Sequence, residues 1–171
     1  MSKNPVQEAL GRRLRLAVIG GGPGSFIGGI HRQAARTDDQ YELVTGVLSS
    51  KPERARTAAA TIGIAEERTH TDPIRMLESE AARPDGAEVV AIMTPNDTHY
   101  SYAMAALERG FHVICDKPMT NTLEEAKKLH ERAVSDGRVF CLTHNYTGYP
   151  LIRQARAMVE EGYIGDVRLV Q

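Results

Sequence analysis

LRLAVIGGGPGSFIGG, residues 14–29, is the stretch of sequence that decides the fold. It opens with a mostly apolar run over residues 14–20, which is typical of a buried strand. Six of the fifteen glycines of the chain then lie between positions 20 and 29. An amphipathic stretch over residues 28–37 follows and predicts a helix. The segment is therefore a strand, a glycine-rich turn and a helix in succession.

The same alternation continues along the chain, with short apolar runs separated by longer amphipathic stretches. Nearly continuous apolar strands that alternate with helices are typical of a parallel sheet covered on both faces. The sequence therefore predicts an α/β fold, with a doubly wound, mostly parallel Rossmann sheet. Strands are predicted at residues 14–20, 41–48, 68–71, 88–93, 111–115 and 138–142, and helices at residues 28–37, 52–62, 73–79, 97–109 and 123–135.

Capping residues mark the ends of two of these helices. Asn96 or Asp97 is expected to cap the helix that follows strand four, and Gly110 to end it in the left-handed conformation. Thr122 and Glu125 have the spacing of a capping box at the start of the next helix.

The pattern changes near Tyr149-Pro150. Residues 151–161 are amphipathic, and a strand-like run at residues 167–170 ends the sequence with no further strand to pair with. We therefore expect one complete domain over residues 1–148. Residues 149–171 are expected to begin a second, truncated α/β domain.

Charge and composition exclude several classes of protein. The chain has 171 residues, with 21 Lys plus Arg against 22 Asp plus Glu, so it lacks the basic excess of a nucleic-acid or anionic-membrane surface. No apolar run approaches the roughly 18 residues of a membrane span, and the first residues lack the apolar segment of a secretory signal. Only two cysteines are present, Cys115 and Cys141, which fits a reducing cytoplasm.

The glycine-rich turn has the composition of an anion-binding loop. Glycines allow a tight turn and a close backbone approach to a pyrophosphate, and the free amides of the following helix meet its charge. A strict G-x-G-x-x-G spacing fails, because Ser25 stands where the third glycine is expected, and Gly28 would lengthen the loop by three residues. A turn without a ligand is the alternative. The predicted cofactor-binding residues of this loop are Gly20, Gly22, Gly24, Ser25, Phe26 and Ile27.

The end of the second predicted strand bears on the choice of cofactor. No acid stands at its tip to bind ribose hydroxyls. Ser49, Ser50 and the cations Lys51 and Arg54 suit a ribose phosphate better. This favours NADP over NAD, with both left open. A plain surface loop with solvated charges is the alternative.

Further motifs follow the fourth and fifth predicted strands, at the edge of the sheet where ligands bind in doubly wound folds. Together with the glycine-rich turn they resemble the glucose–fructose oxidoreductase/inositol dehydrogenase family, the Gfo/Idh/MocA group. The resemblance covers residues 14–171. The motifs are Thr94-Pro95-Asn96-x-x-His99, Ala106-Leu107-x-x-Gly110-x-His112-Val113, Asp116-Lys117-Pro118, Asn145-Tyr146 and Gly162-Tyr163-Ile164-Gly165.

The resemblance implies an N-terminal Rossmann domain that binds NAD or NADP, here residues 1–148, and a C-terminal substrate and oligomerisation domain that begins at residues 149–171. It implies hydride transfer between the cofactor and a secondary alcohol or ketone of a sugar or polyol. The full-length form is expected to be a cytoplasmic homo-oligomer without nucleic-acid or membrane partners.

The resemblance also implies roles for single residues. Thr94, Pro95 and Asn96 would line the cofactor. Asp116, where the family usually has glutamate, would face the ribose on the nicotinamide side. His99 would contact cofactor or substrate, with a packing role as the alternative, and Asn145 is placed near the same site by its position.

Lys117 is the predicted catalytic residue. Hydride leaves a carbinol carbon only as the hydroxyl proton is removed, and an ammonium group can polarise that oxygen. The family's usual histidine for proton transfer would lie beyond residue 171, so the activity of this chain is left open. A non-catalytic dinucleotide-binding module, or a fragment that lacks the substrate domain, is the alternative. No spacing typical of a metal site is present.

Overall fold

Six parallel strands and seven helices lie within residues 4–170, the part of the chain that the computed structural model describes. Residues 1–3 of the first predicted domain and residue 171 of the second lie outside this described part of the chain. None of the described helices is both long and apolar enough to cross a membrane. The strands are β1 (Leu14–Gly20), β2 (Tyr41–Val47), β3 (Thr69–His70), β4 (Val89–Met93), β5 (His112–Cys115) and β6 (Phe140–Leu142). The helices are α1 (Pro5–Leu10), α2 (Phe26–Thr37), α3 (Pro52–Ile62), α4 (Pro73–Ala81), α5 (His99–Glu108), α6 (Leu123–Ser135) and α7 (Pro150–Glu160).

The strand order across the sheet is β3-β2-β1-β4-β5-β6, and every neighbouring pair is parallel. This is the doubly wound Rossmann order, so the predicted fold class is confirmed. The chain winds outward from β1 in both directions, which leaves a crevice between the loops that follow β1 and β4. Ligands bind in this crevice in open α/β sheets.

Both faces of the central strands are covered. Side chains alternate along β1, so Ala17 and Ile19 point into one core cluster while Leu16 and Val18 point into another. The first cluster contains residues of α4, α5 and α6, and the second contains residues of α2 and α3. Burial on both faces explains why the strands read as continuous apolar runs rather than as alternating ones.

The predicted caps are confirmed at α6 but wrong at the start of α5. Thr122 and Glu125 form the capping box, and Gly110 has a φ of +84° just after α5. The prediction for Asn96 or Asp97 is wrong because Asn96–Thr98 is itself a 3₁₀ turn that runs into α5. Neither side chain therefore occupies the position that precedes the helix.

Helix α1 was not predicted. Its six residues are too few to show a helical period. The side chain of Asn4 nevertheless caps it, since its oxygen accepts hydrogen bonds from the amides of Val6 and Gln7. The amide nitrogen of Asn4 also donates to the carbonyl of Asp39 at 2.8 Å, which ties α1 to the turn before β2.

The strand predicted at residues 167–170 is wrong. No strand among residues 4–170 pairs with this run, and a strand is stable only when a neighbour takes up its backbone hydrogen bonds. The preceding helix α7 is confirmed, but it has no buried residue, and Leu151 is 81% exposed.

Candidate active site

The predicted site residues lie at the carboxyl edge of the sheet, and most of them follow β1, β4 and β5. Gly20 at the end of β1 pairs with Met93 at the end of β4. The amide of Asp116 donates to the carbonyl of Ile92 at 3.1 Å, which extends the ladder one residue past β5. The loops that follow these three strands therefore face one another across the crevice.

The glycine loop that follows β1 requires glycine at its first positions. Gly20, Gly21 and Gly24 have φ values of +84°, +67° and +87°, which side chains rarely tolerate. A Cβ at Gly20 would also lie 2.7 Å from the carbonyl oxygen of Met93. The turn closes with a hydrogen bond of 2.9 Å from the amide of Ser25 to the carbonyl of Gly22.

Gly28 occupies the position that the third glycine holds in the G-x-G-x-x-G motif. A Cβ there would lie 1.9 Å from the carbonyl oxygen of Gly21, so only glycine lets the helix pack this closely against the loop. The lengthened spacing considered from the sequence therefore has a steric basis. Helix packing against the first strand is what this glycine allows in dinucleotide-binding turns.

Helix α2 begins at Phe26, two residues before the predicted start. Ser25 is its N-cap, and its hydroxyl accepts a hydrogen bond of 3.3 Å from the amide of Gly28. The hydroxyl of Ser25 therefore caps the N-terminus of α2. The amides of Phe26 and Ile27, in the first turn, have no acceptor within the helix and are available to an anion.

Arg32, on α2, also contacts the glycine loop, and the sequence did not predict this contact. Its guanidinium donates a hydrogen bond of 2.5 Å to the carbonyl of Gly21, from the second turn of α2. The sequence cannot predict this contact, because Arg32 is one of several cations on the chain. Only the folded loop brings the carbonyl of Gly21 close to its side chain.

The loop after β2 forms a cleft of about 440 Å³ beside the glycine loop. Gly22, Ser49 and Arg54 line it, so three predicted residues meet there, whereas Ser50 is exposed and is not among the lining residues. Glu53 also lines this cleft, and its carboxylate pairs with Arg56. The cleft thus presents both a cation and an acid.

The loop after β4 presents Pro95 and Asn96 as exposed residues at the crevice. Thr94 is partly buried, and its hydroxyl accepts a hydrogen bond of 2.7 Å from the hydroxyl of Thr98. Thr94, Pro95 and Asn96 therefore lie at the expected edge of the sheet.

His99 differs from the other predicted contact residues in its burial. Its side chain is fully buried and has no surface exposed to the crevice. Nδ1 lies 2.7 Å from the carbonyl oxygen of Pro118, and Nε2 lies 2.9 Å from that of Thr94. His99 thus links the loop after β4 to the loop after β5, an arrangement that favours the packing alternative.

Asp116 is held by two side chains at the end of β5. His31 Nε2 lies 3.0 Å from Oδ1 of Asp116, and the hydroxyl of Thr143 donates to the same oxygen at 2.7 Å. Burial raises the pKa of Asp116, but the hydrogen bonds from His31 and Thr143 outweigh burial, and the pKa lies below its usual value. Lys117, the next residue, is exposed and is joined to Pro118 by a cis peptide bond.

An open pocket of about 670 Å³ adjoins these residues on the α2 side of the sheet. His31, Asp116 and Asn145 line it, together with Tyr146 and Tyr149, whose rings meet edge to face at 5.6 Å. Asn145 is therefore brought near Asp116, as its position after β6 suggests.

The two cysteines differ in their surroundings. Cys115 is buried, and burial raises the pKa of its thiol to about 12, so this thiol is not a nucleophile. Cys141 is exposed.

Comparison with known proteins adds to this geometry. A family model described as "Oxidoreductase family, NAD-binding Rossmann fold" matches residues 14–146. The uncharacterized oxidoreductase YfiI of Bacillus subtilis (strain 168) is 38% identical over 165 residues, which make up 96% of this chain and 42% of that protein. D-glucoside 3-dehydrogenase of Escherichia coli (strain K12) is 32% identical over 154 residues, or 90% of this chain and 41% of that protein.

A solved structure of an inositol dehydrogenase homolog is also similar to this chain. The crystal structure of an inositol dehydrogenase homolog from Azotobacter vinelandii, complexed with NADH and myo-inositol, matches with a TM-score of 0.88 and 44% identity. The match covers 92% of this chain and 41% of that one. The chain thus spans about two fifths of the length of the relatives it matches.

Proposed function

The chain belongs to the Gfo/Idh/MocA oxidoreductase family, and we propose that it is the cofactor-binding part of a nicotinamide-dependent sugar or cyclitol dehydrogenase. The reaction is hydride transfer between NAD(P) and a secondary alcohol or ketone. The observation that carries the proposal is the glycine loop after β1, which lies where the strand order reverses between β1 and β4. In this loop Gly28 packs against Gly21, and Lys117 lies nearby at the end of β5.

The loop fits the pyrophosphate of a dinucleotide. The amides of Phe26 and Ile27 lack helical acceptors, and the positive end of the α2 dipole lies at the same place. Arg32 stabilises the loop through a hydrogen bond to the carbonyl of Gly21. When bound, the nicotinamide supplies or accepts the hydride.

Lys117 is the residue we assign to the substrate oxygen. It is exposed at the carboxyl end of β5, next to the Asp116 network. A lysine ammonium there can donate a hydrogen bond to the oxygen of the reacting carbon and offset the negative charge that develops on it.

We propose that residues 149–171 begin a second domain, which follows the Rossmann domain of residues 1–148. The exposed apolar side chains of α7 and of the tail support this, since isolated domains rarely leave such a surface uncovered. A sugar or polyol substrate, a homo-oligomeric full-length form and a cytoplasmic location belong to the same proposal. D-glucoside 3-dehydrogenase and the inositol dehydrogenase homolog support the substrate class.

Titration calorimetry of the 171-residue chain with NADPH and, separately, NADH tests the proposed function. We expect saturable binding of at least one of them, because the loop is formed within the chain itself. Absence of binding of both, by a chain shown to be folded by circular dichroism, would overturn the proposal.

We propose that residues of the cleft after β2 distinguish NADPH from NADH. Arg54 and Ser49 favour the ribose phosphate of NADPH, whereas Glu53 favours the ribose hydroxyls of NADH. If NADPH is the cofactor, Arg54→Ala should weaken NADPH binding by about tenfold, the size of one charge-assisted contact, and leave NADH unchanged. Lys127→Ala, an exposed cation on α6, is the control and should change neither. Equal effects of Arg54→Ala on both cofactors would contradict the phosphate role.

A further inference from the structure

We propose that His31 is a positioning residue that, with Thr143, orients Asp116 toward the ribose on the nicotinamide side of the cofactor. The inference rests on the proposed function and adds a residue of α2 to the site. It makes α2 serve both halves of the cofactor, with its first amides at the pyrophosphate and His31 behind Asp116.

The contacts are made on one oxygen of Asp116. His31 Nε2 lies 3.0 Å from Oδ1, and the hydroxyl of Thr143 donates to Oδ1 at 2.7 Å. A carboxylate only accepts hydrogen bonds, so Nε2 of His31 carries the proton in this pair. Both side-chain hydrogen bonds that Asp116 accepts within residues 4–170 reach Oδ1, which leaves Oδ2 for a ligand in the open pocket that Asp116 lines.

The pair is partly buried, which makes its geometry matter. The side chains of His31 and Asp116 are only 13% and 14% exposed. A hydrogen bond to a charged carboxylate in such surroundings is stronger than one in water. Two donors that approach Oδ1 from α2 and from the loop after β6 leave the carboxylate little rotational freedom.

The length of the side chain explains why such support is needed. The side chain of Asp116 has one methylene fewer than that of glutamate, the other residue with a carboxylate side chain. A shorter side chain reaches less far from β5, so its free oxygen must be presented in one orientation to meet a ribose hydroxyl. His31 and Thr143 supply that orientation by fixing the opposite oxygen.

Three probes separate the ribose contact from the rest of the cofactor. NADH carries both ribose groups and the nicotinamide, ADP-ribose lacks the nicotinamide, and ADP lacks the second ribose as well. Calorimetric titration of the 171-residue chain with each probe gives three affinities. If NADPH binds more tightly than NADH, the 2′-phosphorylated counterparts replace these probes.

We expect His31→Leu to weaken binding of NADH and of ADP-ribose by about tenfold each, and to leave ADP within about twofold. Thr143→Val should act in the same direction. His31→Gln, whose amide nitrogen can donate in place of Nε2, should restore most of the affinity. His130→Leu, a matched change at an exposed histidine on α6, is the control and should alter none of the three.

Two results would overturn the inference while leaving the proposed function intact. One is unchanged binding of all three probes by His31→Leu together with Thr143→Val. The other is an equal loss for ADP, which would show that His31 only supports α2 as a whole. If the unsubstituted chain binds none of the probes, both the proposed function and this inference fail. Thermal melting of each variant identifies a loss that comes from unfolding.

Discussion

Gly28 is the residue whose size decides whether the helix and the loop can meet. A Cβ at this position would lie 1.9 Å from the carbonyl oxygen of Gly21, whereas a Cβ at Gly29 would meet nothing within 4 Å. The two neighbouring glycines therefore have opposite tolerance to the same substitution, although the sequence shows no difference between them.

We predict that Gly28→Ala destabilises the chain by about 1–3 kcal/mol and weakens NAD(P)H binding, because the loop must shift to admit the methyl group. Gly29→Ala is the matched variant, and it should stabilise the helix by up to about 1 kcal/mol. Urea unfolding measures both changes. Equal effects of the two substitutions would show that the contact with Gly21 does not limit the loop.

The role proposed for Lys117 lies in the reaction rather than in the stability of the fold. The residue is exposed, so we expect Lys117→Ala to change the free energy of unfolding by less than about 0.5 kcal/mol and cofactor affinity by less than about twofold. In a form that carries the second domain, turnover should fall by about a hundredfold or more, since the substrate oxygen loses the hydrogen bond that offsets its developing negative charge. An equal fall in cofactor affinity and in rate would contradict a role on the substrate side.

At the scale of elements, α2 carries more of the site than its sequence suggests. Its first turn offers amides to an anion, Arg32 holds the carbonyl of Gly21, and His31 holds Asp116 across the crevice. His31 and Arg32 are neighbours in the chain, but their side chains contact different loops, because successive side chains on a helix are about 100° apart. One helix thereby links the loops that follow β1 and β5.

The start of β4 is connected to the segment before β1 by an ion pair. Both guanidinium nitrogens Nη1 and Nη2 of Arg12 bind the carboxylate of Glu88, at 2.7 and 2.8 Å, and the amide of Arg15 donates to it at 3.0 Å. The hydrogen bonds from Arg12 outweigh partial burial, and with that of Arg15 they lower the pKa of Glu88 from 4.5 to about 2.

A pKa that is lower in the folded state makes the stability depend on pH. The contribution of Glu88 is complete above its unfolded value of 4.5 and is lost as the pH falls toward about 2. We predict that Glu88→Gln costs about 1–2 kcal/mol at pH 7, an amount reduced by solvent screening at the exposed Arg12. The difference from the unsubstituted chain should shrink between pH 4.5 and 2. Urea midpoints across this range measure it, and a constant difference would exclude the ion pair as its cause.

At the scale of the whole molecule, the sheet is covered unevenly. Helices α2 and α3 pack over β1 and β2, while Ala91 of β4 and Ile114 of β5 line the open pocket of about 670 Å³ on the same face. Helix α7 lies beyond this pocket with its apolar side chains exposed. The stability of the described chain therefore comes from the six-stranded sheet and helices α2 to α6.

We predict that Leu151→Glu on α7 changes the free energy of unfolding by less than about 0.5 kcal/mol, because this side chain is 81% exposed. Leu129→Ala on α6 is the comparison, and it should cost about 2–5 kcal/mol, since Leu129 is fully buried in the core. Urea unfolding of the 171-residue chain gives both values. A large loss with Leu151→Glu would mean that α7 packs on the sheet in solution.

The sequence alone determined the fold class and predicted the edge of the sheet at which the candidate site lies. The alternation of apolar runs with amphipathic stretches reports burial on both faces of a parallel sheet, and each strand end is marked by polar or glycine residues. The capping box of Thr122 and Glu125 and the glycine after α5 are local in the chain, so their structures follow from nearby residues. For the same reason the glycine loop was recognised before its geometry was known.

Only the tertiary structure decided which side chains act together. Asp116 meets His31, 85 positions away in the chain, and the buried Glu80 meets Arg68 and the amide of Ala87 across a turn. His99 follows a motif at the crevice, yet it is enclosed by the loops after β4 and β5. Residues 167–170 have the composition of a strand but no strand to pair with among the described residues. Periodicity reports how a segment is buried, whereas a contact between distant residues exists only once the sheet has brought their loops together.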